Sequence, residues 1–299
     1  MRCFTIISCL LFAIVVRSQQ VADSAFIYRA ATPAYALGAG PVVALDHAHH
    51  NFHRIDGRYM AFARVLEADG YTMKANEAPF TAEILSGMRI LVIANALGND
   101  GPWVLPTAPA FTKEEVVAVE KWVRGGGSLF LIADHMPFGG AAARLARAFG
   151  FNWVNGYAMR DDGAAERFSR DQGTLAEHPI TSGASTQERV DRIAVFTGSA
   201  FLPPPQATRI TDLQDDYFIL LPESAGQFSD TTAWIDGRYF ANAAALEHGK
   251  GRVVCFGEAA MFSAQRQGPD RLPMGMNQSG AEQNPQLLLN IMHWLDRRL

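Results

Sequence analysis

Three continuous apolar runs in the first half of the chain, set apart by amphipathic stretches, constrain its fold more than any other feature. Pro41-Val42-Val43-Ala44-Leu45 ends at Asp46, Arg89-Ile90-Leu91-Val92-Ile93-Ala94 is apolar after its arginine, and Ser128-Leu129-Phe130-Leu131-Ile132-Ala133 ends at Asp134. Such runs lack a polar face, so each reads as a strand covered on both sides. Tyr71-Thr72-Met73-Lys74 reads as a further strand. Between them, Ile55, Tyr59, Phe62, Ala63 and Leu66 recur at helical spacing until Gly70. Thr81 opens a short helix through Leu85. Thr112-Lys113-Glu114-Glu115 has the capping-box pattern before Val116, Val119, Trp122 and Val123, and Gly125-Gly126-Gly127 stops that helix. Another helix is expected over about 140–149, closed by Gly150. Strand and helix thus alternate about every 25–30 residues, which implies right-handed crossovers and a parallel sheet with helices on both faces, a flavodoxin-like α/β fold.

Residues 151–235 are irregular and read as an insertion. The pattern returns as a hairpin, residues 243–248 and 252–256 around Gly249-Lys250-Gly251, and as a last amphipathic helix from Asn284-Pro285 through Leu288, Ile291, Met292 and Leu295. No internal repeat or low-complexity segment appears. A chain of 299 residues can bury a sufficient core without disulfides. The N-terminus differs: Arg2, an apolar run over 3–16, then Arg17-Ser18-Gln19-Gln20. This describes a secretory signal peptide, taken as 1–20 and cleaved near 18–25, ahead of a single α/β domain over 26–299. The run is too short for a comfortable membrane span, so a periplasmic or secreted protein with no stable membrane span is expected. Cys3 and Cys9 belong to that segment, which leaves Cys255 inside a buried-strand pattern and no intramolecular disulfide. Lys and Arg number 26 against 30 Asp and Glu, with no long basic run, so nucleic acid is not an expected partner.

Ligands of open parallel sheets bind beyond the carboxyl ends of the strands. The first strand is followed by Asp46, His47, His49, His50, Asn51 and His53, a later one by Asn95, the next by Asp134 and His135, and the hairpin by Gly257-Glu258. These four ends should share one rim. Asp46, His49, Asp134, His135 and Glu258 are the catalytic candidates, with Asp134 and Glu258 as an acid/base pair whose proximity separates their pKa values. Asn51, Asn95 and His178, the last in a Glu177-His178-Pro179-Ile180-Thr181 turn, are candidate ligand contacts. His47, His49, His50 and His53 have spacings open to a divalent transition metal, zinc first, with Asp46, Asp134 or Glu258 adding oxygens. Against the metal, the run is not H-E-x-x-H and no cysteine supports it. The plainer alternative is that these side chains fix the strand-to-helix turn, and that strand-end carboxylates cap helices. There is no G-x-S-x-G elbow and no P-loop.

Taken in order, Asp46-His47-Ala48-His49-His50-Asn51, Gly125-Gly126-Gly127 before Ala133-Asp134, His178-Pro179-Ile180-Thr181 and Gly257-Glu258 resemble the class I glutamine amidotransferase-like superfamily. Within it, the chain is similar to bacterial domains related to trehalose-utilisation (ThuA-like) proteins and to the amidotransferase-like domain of intraflagellar transport proteins. The resemblance covers about residues 40–298 and implies a flavodoxin-like sheet. The position that would hold the glutaminase cysteine falls near Asp134-His135-Met136, without a cysteine, so the resemblance implies no glutaminase activity. The leading expectation is a small-molecule site for a sugar or cell-wall fragment at the rim. If the protein is an enzyme, hydrolysis is expected, with Asp134 or Glu258 as base and His49 or His135 as proton donor. Two other readings stand beside it: a metal-dependent hydrolase built on the histidine loop, and a non-catalytic interaction module of envelope transport or assembly.

Overall fold

A computed structural model describes residues 20–162 and 167–299. Apart from Gln20, the expected signal peptide lies outside the described residues. Five strands, β1 (Val42–Asp46), β2 (Thr72–Asn76), β3 (Ile90–Ala94), β4 (Ser128–Ile132) and β5 (Gly251–Phe256), run parallel in the order β2-β1-β3-β4-β5. That is the flavodoxin-like order, in which the topological switch point falls between β1 and β3. The strand Ala241–His248 lies antiparallel to β5, and Phe201–Leu202 and Asn152–Trp153 extend the sheet beyond it.

The apolar runs are continuous because their residues alternate between two cores. Val43, Leu45, Ile90, Val92, Phe130, Ile132, Val254 and Phe256 face α1 (Met60–Ala68) and α6 (Asn284–Leu295). Leu91, Ile93, Leu129, Leu131, Val253 and Cys255 face α3 (Lys113–Arg124) and α4 (Phe138–Ala148), beside the short α2 (Ala82–Ser86). All of these strand residues are fully enclosed, and each large apolar side chain contributes roughly 1.5–3 kcal/mol relative to exposure. The Thr112 capping box forms: Thr112 Oγ1 accepts from Glu115 N–H, and Glu115 Oε2 accepts from Thr112 N–H.

Two boundaries differ from the sequence reading. α1 begins at Met60, because Ile55 lies in a turn where its N–H donates to His47 Nε2 at 3.0 Å. α4 begins at Phe138, ahead of the expected start. The irregular stretch builds a separate antiparallel sheet from Tyr157–Arg160, Tyr217–Leu221 and Ala233–Asp236. It also contains α5 (Pro179–Ser182). No helix among the described residues is long and apolar enough to cross a membrane.

Candidate functional site

A cavity of about 390 Å³ opens at the carboxyl end of the sheet. Four strand ends reach it: His53 beyond β1, Asn95 after β3, Asp134 and His135 after β4, and Glu258 after β5. A shallower depression of about 500 Å³ lies alongside under the 97–108 loop, where Asp100 is the one charged lining residue. No strand-end carboxylate enters that depression, so the chemistry belongs to the smaller cavity.

The two acids are placed by backbone. Asp134 N–H donates to Asn95 Oδ1 at 2.9 Å, and Asp134 Oδ1 accepts from His135 N–H at 2.8 Å. Asn95 holds this position with φ +51, a left-handed conformation that asparagine tolerates better than most residues. Burial raises the Asp134 pKa above the ordinary aspartate value, against the opposing pull of His135, of Asn95 and of the Ala259 N–H. Glu258 is completely enclosed. Its Oε1 accepts from Ala260 N–H at 2.6 Å and its Oε2 from Phe196 N–H at 3.2 Å. Gly257 is required before it, since a Cβ there would lie 2.3 Å from Ser199 O. Tyr59, whose hydroxyl donates to Ala259 O at 2.9 Å, buttresses the same turn.

His53 is 3% exposed, packs against Tyr59 with tilted rings whose centroids are 4.5 Å apart, and leaves Nδ1 without a partner. Burial, and then the charge of Arg58, lower its pKa to about 3, so the ring is neutral near pH 7. Arg58 lies over the Phe52 ring at 3.9 Å. The adjoining wall is aromatic: Phe52, Trp103 and Phe138 contact one another at centroid distances of 5.2–5.7 Å. His135 stacks on Tyr157 at 4.4 Å and points Nδ1 at Met136 O. Gln265 and Met274 close the remaining side together with Gln20, from the segment where Val21–Ala22 pairs with Ala264–Gln267.

Asp46, His49 and Asn51 do not line this cavity. They form a clamp of their own. Asp46 accepts from His49 Nδ1 at 2.9 Å and from Asn51 Nδ2 at 3.0 Å, while His49 Nε2 lies 2.8 Å from Glu115 Oε1. Burial alone would lower the His49 pKa, but the carboxylates of Asp46 and Glu115 outweigh it and raise the value. Glu115 moves down: burial opposes the change, and the Thr112 N–H and His49 outweigh burial. The histidine loop is therefore fixed by hydrogen bonds.

The four histidines named for a metal are placed apart. His47 Nδ1 faces Glu77, His49 sits in the clamp, His50 pairs with Asp100 on the surface, and His53 lies in the cavity. Among the described residues, no group of three or more His, Cys, Asp or Glu is placed to hold a metal ion. Zinc thus lacks a shared ligand set in this loop. His178 is also elsewhere: it caps α5, accepting at Nδ1 from Ile180 N–H. It sits beside Trp294 and Arg252, at the start of β5 and away from the rim. Burial, and then Arg252, lower its pKa to about 4. Cys255 is enclosed in β5, where burial pushes its thiol pKa well up.

Sequence reasoning missed Phe52, Arg58, Trp103 and Gln265. The first three lie in loops or turns, and Gln265 lies on a short strand with no apolar pattern. Trp103, a large aromatic within a proline-rich polar loop, was the one readable signal.

No family model matches the chain, and neither does any curated protein. Solved structures do. The mmIFT52 N-terminal domain aligns over 85% of this chain and 97% of its own, at 13% identity and a TM-score of 0.59. A cytoplasmic protein from Salmonella typhimurium LT2 aligns over 85% and 98%, at 13% identity and a TM-score of 0.52. A ThuA-like protein from Bacteroides uniformis aligns over 90% and 94%, at 11% identity and a TM-score of 0.47. At these identities the first two likenesses show the fold alone.

Proposed function

We propose that the strand-end cavity binds a small polyhydroxylated molecule, a sugar or a cell-wall fragment, outside the cytoplasm. The observation that carries this reading is the pairing of an aromatic wall, Phe52, Trp103 and Phe138, with a polar floor of Asn95, Asp134 and Glu258. Apolar walls with a few placed polar groups are the usual composition of a small-molecule site. A sugar ring offers both matching surfaces, C–H faces for the aromatic rings and hydroxyls for carboxyl and amide groups. About 390 Å³ suits a ligand of one or two rings. Export rests on the signal-peptide reading of residues 1–20, and removal of that segment takes Gln20 from the edge of the cavity while keeping every group this reading uses.

A second reading, hydrolysis of such a ligand, is favoured by the raised pKa of Asp134 and by Glu258 on the adjoining turn. In that scheme Asp134 holds and releases the proton. His49 has no part in it, because it does not line the cavity. His135 remains the imidazole at hand.

A ligand-observed NMR screen of monosaccharides and peptidoglycan fragments tests the binding reading. The expected result is binding that Asp134→Ala and Trp103→Ala each reduce by at least about tenfold, one lost contact of about 1.4 kcal/mol. Unchanged binding in folded variants, or no binding of any sugar, refutes it.

A further inference from the structure

The cavity lining also carries a positive charge that the reading above does not use. Arg58 is the one Lys or Arg lining the cavity. Its guanidinium is packed over Phe52, and no hydrogen bond or ion pair to it is found among the described residues. Its Nε is enclosed and unpaired. Arg58 is half-buried, and beyond the enclosed Nε its guanidinium offers further N–H groups in a planar fork.

His53 lines the same cavity and has an enclosed Nδ1 with no partner. Burial and the charge of Arg58 hold that ring neutral near pH 7. Arg58 therefore supplies the positive charge within the same 390 Å³ space as Asp134 and Glu258.

We infer that the natural ligand is an acidic sugar, whose carboxylate is received by Arg58 while its hydroxyls meet Asp134 and Glu258. This rests on the sugar-binding reading and narrows it. A carboxylate matches the flat guanidinium fork with two parallel hydrogen bonds. It brings one negative charge into a space that already holds two carboxyl groups, whereas a phosphate monoester brings close to two.

The test compares glucose, glucuronate and glucose 6-phosphate on the full chain, by ligand-observed NMR titration at low salt. Glucuronate is expected to bind at least about tenfold tighter than glucose, the scale of one charge-assisted hydrogen bond. Arg58→Met should abolish the preference, so that the variant binds glucuronate no more tightly than it binds glucose. Arg58→Gln, checked for folding by its unfolding profile, gives the same readout if the methionine variant does not fold. Equal affinity for glucose and glucuronate, or a glucuronate preference that survives loss of Arg58, overturns the inference and leaves the sugar reading intact. Tighter binding of glucose 6-phosphate overturns the carboxylate assignment. Binding of none of the three overturns the inference together with the reading beneath it.

Discussion

His53 gives the sharpest quantitative test of the site. Its ring is enclosed between Tyr59 and Phe52 near the Arg58 charge, and its pKa falls from 6.5 to about 3. The unfolded chain binds that proton far more readily than the native one. The contribution to stability is therefore fully present above pH 6.5, is lost progressively as pH falls, and is gone below about 3. Within that window each pH unit costs about 1.4 kcal/mol, so at pH 5 the native state has lost about 2 kcal/mol through this one group. His53→Phe keeps an aromatic ring in place and cannot titrate. Urea unfolding of both proteins at pH 7.5 and pH 5 should show the wild type losing about 2 kcal/mol more than the variant. Taking this difference removes His49, whose raised pKa works in the opposite direction. A direct NMR titration of the His53 ring in the native protein gives a second reading. A midpoint near 6.5, or equal acid sensitivity in the two proteins, refutes the burial argument.

The clamp and the Glu258 turn make two further predictions. His49→Phe leaves Asp46 and Glu115 enclosed without their shared imidazole, and urea unfolding at pH 7 should register a loss of about 3–5 kcal/mol; a loss under about 1 kcal/mol would show that the three groups are not coupled. Gly257→Ala forces a methyl group to within 2.3 Å of Ser199 O. It should cost about 1–3 kcal/mol in the same assay, and an unchanged unfolding midpoint would rule out that close approach.

The parallel sheet was legible because each strand is apolar on both faces, and a strand end is where an apolar run meets its first polar residue. That logic found Asn95, Asp134 and Glu258. It failed at Asp46 and His49, which also follow a strand. Their role depends on Glu115, 66 residues further along from His49 and already readable as part of a capping box. One carboxylate serves both the helix cap and the histidine, and only the packing of α3 brings these uses together. Arg58 and Gln265 were hidden for another reason: neither lies in a periodic pattern, and what distinguishes them is a missing partner, which a sequence does not display. His178 carried a genuine local signal, with Pro179 and Thr181 beside it, but the signal was that of a helix start.

The walls of the cavity come from nearly the whole length of the chain, from Gln20 through the turns after β1, β3 and β4 to Gln265 and Met274. No short fragment of the protein contains it, and closing it requires distant parts of the sequence to meet. Occupancy is thereby tied to the global unfolding equilibrium. A compound present at a hundred times its dissociation constant adds about 2.7 kcal/mol to native stability. A melting scan against a compound library therefore reports on this cavity without knowledge of any reaction.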